Sequence, residues 1–84
     1  MSYDNIYKRV ARNIKKYRKE KGMTQEKLAE ETGYSYTNIR RIEAPNCRKN
    51  FSIETIYVIS KALDIPIYKL FEENIIKEDK ENEK

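Results

Sequence analysis

Apolar residues recur along the chain at the spacings of amphipathic helices. Ile6, Val10, Ile14 and Tyr17 are separated by four, four and three residues, which places them on one face of a first helix. A later stretch, residues 53–63, repeats this pattern and contains Tyr57 on an apolar stripe. We therefore predict two helices that bury one face, with both tyrosines in the core.

Helix-capping residues divide the rest of the chain into short elements. Thr24, Ser35 and Ser52 are each suited to cap the start of a helix, and they precede the segments QEKLAEET, YTNIRRIE and IETIYVISKAL. Gly22 and Gly33 are placed to end helices in the left-handed conformation, and Asp64 must adopt it at the end of the fourth helix. No segment alternates as a strand does, so the fold class expected is all-α.

A fifth helix is predicted after the fourth. Pro66 is suited to the first position of a helix, and the residues that follow supply an apolar face. We expect this helix to contain Ile67, Leu70 and Phe71 and to extend at most through Ile75 and Ile76. The domain would then span residues 1–71 or 1–76, and residues 77–84, which lack apolar side chains, are predicted to be a disordered tail.

Composition excludes several classes of protein and several kinds of site. The chain has 84 residues, enough for one domain, with one cysteine (Cys47) and no histidine. An internal disulfide, a zinc site of the usual ligands and a histidine-dependent catalytic triad are therefore excluded. No apolar run is long enough to span a bilayer, and the start is not a signal peptide. We predict a cytoplasmic, non-enzymatic protein without metal or cofactor.

Charge is distributed unevenly between the body and the end of the chain. Residues 1–71 carry a net charge of +7 and residues 72–84 a net charge of −3. The densest basic stretch covers residues 15–21, KKYRKEK. A basic body suits a polyanion such as nucleic acid, although a basic run is also typical of a solvated helix face.

The segment from Thr24 to Glu43 has the features of a helix-turn-helix. Two short helices meet at Gly33, where a residue without a side chain allows a sharp turn. Ala29 is small enough for the next helix to approach closely. The motifs GMTQEKLAEETGYS, IRRIE and SIETIYVISKALDIPIYKLF resemble those of the lambda-repressor/Cro-like (XRE) family, over roughly residues 6–71.

The resemblance implies roles for particular residues in binding double-stranded DNA. Residues of the third helix would contact bases, with Arg41 able to bind guanine through two hydrogen bonds. Others would contact phosphates, Gln25 at the positive end of a helix dipole. The base-contacting set is Tyr36, Thr37, Asn38, Arg40 and Arg41, and the phosphate-contacting set is Gln25, Ser35, Arg48, Lys49 and Asn50.

Three further features follow from comparison with the family pattern. Arg18 and Glu43 match a pair that forms a structural salt bridge between the first and third helices. Tyr36 stands where the family usually has a glutamine, which can contact adenine and also brace Gln25. The loop EAPNCRKNFS after the third helix is two residues longer than usual and lacks the family's glycine.

The family resemblance also implies a mode of action. Relatives bind as two-fold dimers, and we expect Ile67, Leu70, Phe71, Ile75 and Ile76 to form the dimer interface. The expected function is that of a small stand-alone repressor or restriction–modification controller on an inverted-repeat operator, where it would block or recruit RNA polymerase. The alternative is an antitoxin-like interaction protein whose DNA binding is secondary.

Overall fold

A computed structural model describes residues 6–44 and 51–73 of the chain. In these ranges there are four α-helices and one 3₁₀ helix, with no β-strand. The elements are α1 (Ile6–Glu20), α2 (Gln25–Thr32), α3 (Tyr36–Glu43), α4 (Ile53–Leu63) and the 3₁₀ helix Ile67–Phe71. The predicted all-α fold class is confirmed, and no helix in the described ranges could cross a membrane.

The predicted capping residues start α2, α3 and α4. The Thr24 hydroxyl accepts a hydrogen bond from the Lys27 backbone N–H at 3.0 Å, and Ser35 and Ser52 make the equivalent contacts, at 3.0 and 3.1 Å. Each contact satisfies a backbone N–H that has no partner within its own helix. Single hydroxyl side chains in the sequence were therefore enough to predict where these three helices start.

Left-handed backbone conformations occur at the three predicted positions. Gly22 has φ 68° and Gly33 has φ 82°, where the absence of a side chain removes the steric penalty. Asp64 ends α4 at φ 58°, and it is the one non-glycine residue in the described ranges with positive φ. Aspartate tolerates this conformation better than most residues do, because its short polar side chain can form local hydrogen bonds.

The core lies where the inner faces of all five elements meet. Tyr17 is buried as predicted. The prediction for Tyr57 is wrong, because 51% of its surface is exposed. Ile56 and Ile59 occupy the inner face of α4, and Tyr57 shares the outer face with Ile53, one turn away. The buried apolar residues are Val10, Ala11, Ile14, Tyr17, Leu28, Ala29, Ile39, Ile42, Ile56, Ile59, Leu63 and Leu70.

The fifth element is more tightly wound than the predicted α-helix. It is a 3₁₀ helix that begins after Pro66 and ends at Phe71, and Glu72 is extended with ψ 144°. Its last carbonyl oxygens, those of Leu70 and Phe71, accept hydrogen bonds from Asn13 and Arg9 of α1. The predicted extension to Ile76 and the predicted tail fall on residues 74–84, which lie outside the described residues.

Polar side chains of α1 hold this C-terminal element in place. The buried Asn13 amide donates to the carbonyl oxygens of Leu70 and Glu72, at 2.9 and 2.8 Å. The Tyr17 hydroxyl donates to Glu72 Oε1 at 2.7 Å. Burial, together with this hydrogen bond, raises the pKa of Tyr17 to about 12. We call Asn13, Tyr17 and the backbone of residues 70–72 the C-terminal seam.

Candidate nucleic-acid interface

A tight joint sets α2 against α3. The Gly33 N–H donates to the Ala29 carbonyl oxygen at 2.9 Å, closing α2 with a left-handed residue. The Thr32 hydroxyl donates to the Leu28 carbonyl oxygen at 2.9 Å and accepts from the Tyr34 N–H at 3.2 Å. Ala29 is buried. These contacts fix the turn that the sequence predicted between the two helices of the motif.

Helix α3 has an inner and an outer face. Ile39, Ile42 and Glu43 are buried against the rest of the domain. The side chains of the predicted base-contacting set lie mainly on the outer face: Tyr36, Thr37, Arg40 and Arg41 are exposed, and Asn38 is half-buried. The structure therefore leaves four of these five residues open to a partner.

The outer face of α3 is positively charged. Arg40 and Arg41 are both exposed, whereas the single acidic residue of the helix, Glu43, is buried and paired with Arg18. The Arg40 guanidinium lies over the Tyr36 ring, with 5.6 Å between its central carbon and the ring centroid. This cation–π contact orients both side chains on the outer face. Tyr36 thus has a partner within its own helix.

Arg18 and Glu43 form the salt bridge that the family resemblance implies. Arg18 Nε lies 2.7 Å from Glu43 Oε2, and Nη2 lies 3.0 Å from Oε1. Both side chains are almost fully buried. Arg18 Nη1 also donates to the Met23 carbonyl oxygen at 2.7 Å. The pair therefore connects α1, α3 and the turn that precedes α2.

Gln25 joins this pair, a contact that the sequence analysis missed. Its Nε2 donates to Glu43 Oε1 at 3.0 Å. We call Arg18, Gln25 and Glu43 the motif cluster. Gln25 and Glu43 are 18 residues apart in the chain, so helical periodicity could not pair them. The sequence offered only an indirect signal for this contact, because a Glu43 carboxylate paired with Arg18 can still accept further hydrogen bonds.

The start of α2 offers backbone donors beside Gln25. The Thr24 side chain takes the Lys27 N–H, and the N–H groups of Gln25 and Glu26, in the first turn, have no carbonyl partner within the helix. Ser35 occupies the same position before α3, where its hydroxyl accepts from the Asn38 N–H at 3.0 Å. An anion near Gln25 would therefore meet oriented donors and the positive end of the helix dipole.

Some predicted residues are placed elsewhere or not described. Arg48, Lys49 and Asn50, together with Cys47, lie outside the described residues. Leu70 is fully buried in the core of its own domain, so its assignment to a dimer interface is wrong. Ile67 and Phe71 are half-buried, and Ile75 and Ile76 lie outside the described residues.

Apolar surface is instead exposed on α4 and on the 3₁₀ helix. Ile53 and Tyr57, one turn apart on α4, are 67% and 51% exposed. Tyr68 on the 3₁₀ helix is 62% exposed. Large apolar side chains are therefore available on this part of the domain, although they are not the residues that the sequence analysis selected.

Comparison with known proteins identifies relatives of this arrangement. A family described as helix-turn-helix matches residues 14–70. The HTH-type transcriptional regulator SinR of Bacillus subtilis is 36% identical over 64 residues, which are 76% of this chain and 57% of SinR. SinR of Bacillus licheniformis matches over the same shares at 36% identity. The chain thus spans little more than half the length of these relatives.

Two solved structures of DNA complexes are also similar. SinR, described as the master regulator for biofilm formation, in complex with DNA superimposes with a TM-score of 0.68 at 35% identity, covering 75% of this chain and 98% of the other. The restriction–modification controller protein C.Esp1396I, a tetramer in complex with its natural 35-base-pair operator, gives a TM-score of 0.71 at 35% identity. That match covers 82% of this chain and 88% of the controller chain.

Proposed function

The chain belongs to the lambda-repressor-like (XRE) helix-turn-helix family of DNA-binding proteins, and we propose that it regulates transcription by binding an inverted-repeat operator as a dimer. The family consists of transcription regulators and not of enzymes, in agreement with the non-enzymatic protein predicted from the sequence. The similar SinR and C.Esp1396I structures contain DNA. Sequence-specific recognition is the extension that we propose for this chain.

The exposed outer face of α3 is the observation that carries the proposal. Arg41 and Thr37 project from a helix of the width that the major groove admits, with Arg40 and Tyr36 stacked beside them. A guanidinium binds the O6 and N7 atoms of guanine, and a threonine offers a hydroxyl and a methyl group. We propose Arg41 as the main base-reading residue and Tyr36, Thr37, Asn38 and Arg40 as its neighbours at the bases.

Phosphate contacts would fix the position of α3 on the duplex. Gln25 and the first turn of α2 form one such contact, and Ser35 at the start of α3 forms a second. Arg48, Lys49 and Asn50 are proposed to add backbone contacts from the loop that follows α3. Contacts of this kind set affinity and register without reading sequence, so the binding that they support weakens as salt is raised.

A dimer would place two α3 helices on successive turns of the duplex. Half-sites of such dimers lie about 34–36 Å apart, which is one helical turn of DNA. The related C.Esp1396I assembles as a tetramer on its operator, which favours an oligomer of this chain too. The exposed Ile53, Tyr57 and Tyr68, together with the half-buried Ile67 and Phe71, supply the apolar surface that we propose for the contact.

Selection of binding sites from random duplex DNA tests this function. The purified, untagged protein is expected to enrich an inverted repeat whose half-sites are separated by one helical turn. The Arg41→Ala variant, as a matched control, is expected to lose enrichment at one base pair of each half-site while the others persist.

Two outcomes would contradict the proposal in different ways. An enriched single half-site, with a monomer in sedimentation on that DNA, would exclude the dimer and retain sequence-specific binding. No enrichment, with only weak and salt-sensitive binding, would exclude specific recognition. The second outcome would instead favour the alternative predicted from the sequence, an antitoxin-like protein whose main target is another protein.

A further inference from the structure

We propose that Glu43 is a positioning residue for DNA binding, because it holds the Gln25 amide in the orientation that contacts phosphate. The family resemblance assigned Glu43 a structural salt bridge with Arg18 and nothing more. The inference rests on the proposed function, since it concerns how one of its phosphate contacts is prepared. It links the interior of the domain to the surface that meets DNA.

The Glu43 carboxylate gathers donors from two directions. Its Oε2 accepts from Arg18 Nε at 2.7 Å, and its Oε1 accepts from Arg18 Nη2 and from Gln25 Nε2, both at 3.0 Å. Only 2% of the Glu43 side chain and 8% of the Arg18 side chain are exposed. The carboxylate is therefore fixed in place before any ligand arrives, and Gln25 hydrogen bonds to a rigid acceptor.

The chemistry of this contact determines which way the Gln25 amide faces. An ionised carboxylate only accepts hydrogen bonds, so the amide nitrogen and not its oxygen must face Glu43. One N–H of Nε2 is used in this bond, which leaves the second N–H for an anion. Gln25 is the first residue of α2, where the backbone N–H groups of the first turn have no carbonyl partner within the helix. Together they form one phosphate contact.

Fixing the amide in advance strengthens binding by reducing its entropic cost. A free glutamine side chain loses rotamer freedom when a ligand orders it. In the described part of the chain, Glu43 is the side chain that hydrogen bonds to Gln25. In relatives, a glutamine at the position of Tyr36 braces the residue equivalent to Gln25. In this chain the Tyr36 ring packs under Arg40 instead. Glu43 thus braces Gln25 from the interior side.

A double-mutant cycle on DNA affinity tests the coupling. Glu43→Gln, Gln25→Met and the double variant are titrated with the operator duplex, and each affinity is corrected for the folded fraction measured by circular dichroism. Glu43→Gln is expected to weaken binding by about threefold to tenfold when residue 25 is glutamine, the range of one hydrogen bond. In the Gln25→Met background the same change is expected to have an effect of less than about twofold.

The order of the Gln25 amide is measured separately and needs no variant. Gln25 is the only glutamine in the sequence, so selective ¹⁵N-glutamine labelling gives one side-chain NH₂ resonance pair. In the free wild-type protein this group is expected to be as restricted as the backbone of α2. Arg12→Ala, at an exposed position of α1 outside the motif cluster, serves as the control that retains this restriction.

The possible failures can be told apart. An equal loss of affinity on Glu43→Gln in both backgrounds would show a purely structural role and overturn the inference. A Gln25 amide as mobile as that of a free peptide would overturn it as well, even if Glu43→Gln does not fold. Failure of the wild-type protein to bind any duplex would overturn the proposed function, and with it the phosphate contact of Gln25.

Discussion

Two polar clusters meet on α1, and they are built in different ways. The motif cluster joins side chain to side chain, with Arg18 bound to Glu43 and Gln25 bound to the same carboxylate. The C-terminal seam joins mainly side chain to backbone, with Asn13 bound to the carbonyl oxygens of Leu70 and Glu72, and Tyr17 adds one side-chain contact, with the Glu72 carboxylate. Asn13 and Arg18 are only five positions apart on one helix, yet they hold different parts of the domain.

The difference lies in what each cluster demands of the sequence. A side-chain pair such as Arg18 with Glu43 requires a specific residue at both ends. The seam requires Asn13, but any residue at position 70 provides a carbonyl oxygen. The two clusters also differ in role. The motif cluster is proposed to orient Gln25 for its DNA contact, and the C-terminal seam attaches the 3₁₀ helix to α1.

The largest effect is expected from breaking the motif cluster. Arg18→Ala leaves the Glu43 carboxylate buried without its partner, and such changes cost about 3–5 kcal/mol. The free energy of unfolding, measured by urea titration, is expected to fall by this amount. Arg12→Ala on the exposed side of the same helix is the control, with a change within about 0.5 kcal/mol. A fall in the free energy of unfolding for Arg18→Ala that is no larger than that for Arg12→Ala would show that the pair of Arg18 with Glu43 adds no stability.

Breaking the C-terminal seam is expected to cost less. Asn13→Ala removes the donor to two carbonyl oxygens, and leaving buried groups without partners costs about 1–3 kcal/mol. Arg9 still donates to the Phe71 carbonyl oxygen at 3.3 Å, so the 3₁₀ helix keeps one attachment. The free energy of unfolding is again measured by urea titration. Asn38→Ala, at a half-buried position of α3, is the control. No loss of stability would contradict the importance of the seam.

A substitution on the outer face of α3 is expected to weaken DNA binding without disturbing either cluster. Arg41→Ala is expected to weaken binding to the operator by about 1–3 kcal/mol and to relax specificity at one base of each half-site. The exposed position predicts a change in unfolding free energy of less than about 0.5 kcal/mol. Affinities for the operator and for single-base variants test this. The same loss for every sequence would contradict base reading by Arg41.

The smallest effect is expected at the edge of the seam and depends on pH. Tyr17→Phe removes the hydrogen bond to Glu72, a loss of about 1 kcal/mol near neutral pH. Because the pKa of folded Tyr17 is about 12 and its ordinary value is 10.0, the unfolded chain loses this proton first. The stabilisation is complete below pH 10 and is lost as the pH rises to about 12.

Urea titrations of wild-type and Tyr17→Phe proteins at several alkaline pH values measure this dependence. The stability advantage of the wild type is expected to shrink between pH 10 and 12. Tyr57→Phe, at an exposed position of α4, controls for general effects of tyrosine ionisation. A constant difference between wild type and Tyr17→Phe across this range would exclude a raised pKa at Tyr17.

Local rules were enough to predict most of the fold. Hydroxyl caps at Thr24, Ser35 and Ser52 and left-handed residues at Gly33 and Asp64 act through neighbouring backbone, so their effects are visible in short segments. The 3₁₀ form of the last element was not predicted, because Asn13, far away in the sequence, binds the carbonyl oxygens of Leu70 and Glu72. Tyr57 was misassigned because two faces of α4 carry apolar residues and periodicity does not say which is inside.

The candidate site was only partly predictable for the same reason. The exposed residues of α3 and the pair of Arg18 with Glu43 follow from the resemblance to the family, which carries information on long-range contacts. The stacking of Arg40 on Tyr36 depends on the tyrosine that this chain has in place of the usual glutamine, and the bond from Gln25 to Glu43 joins residues 18 positions apart in the sequence. They required the three-dimensional arrangement of α2 and α3.

The most direct test of DNA recognition by the motif is an amide NMR titration with the selected duplex. The ¹⁵N-labelled protein is expected to show its largest shift changes at the backbone amides of residues 25–26 and 36–41. The amides of the C-terminal seam are expected to change little. Changes centred on Ile53 and Tyr57 of α4, with α3 unaffected, would contradict the account and assign the interface to another face of the domain.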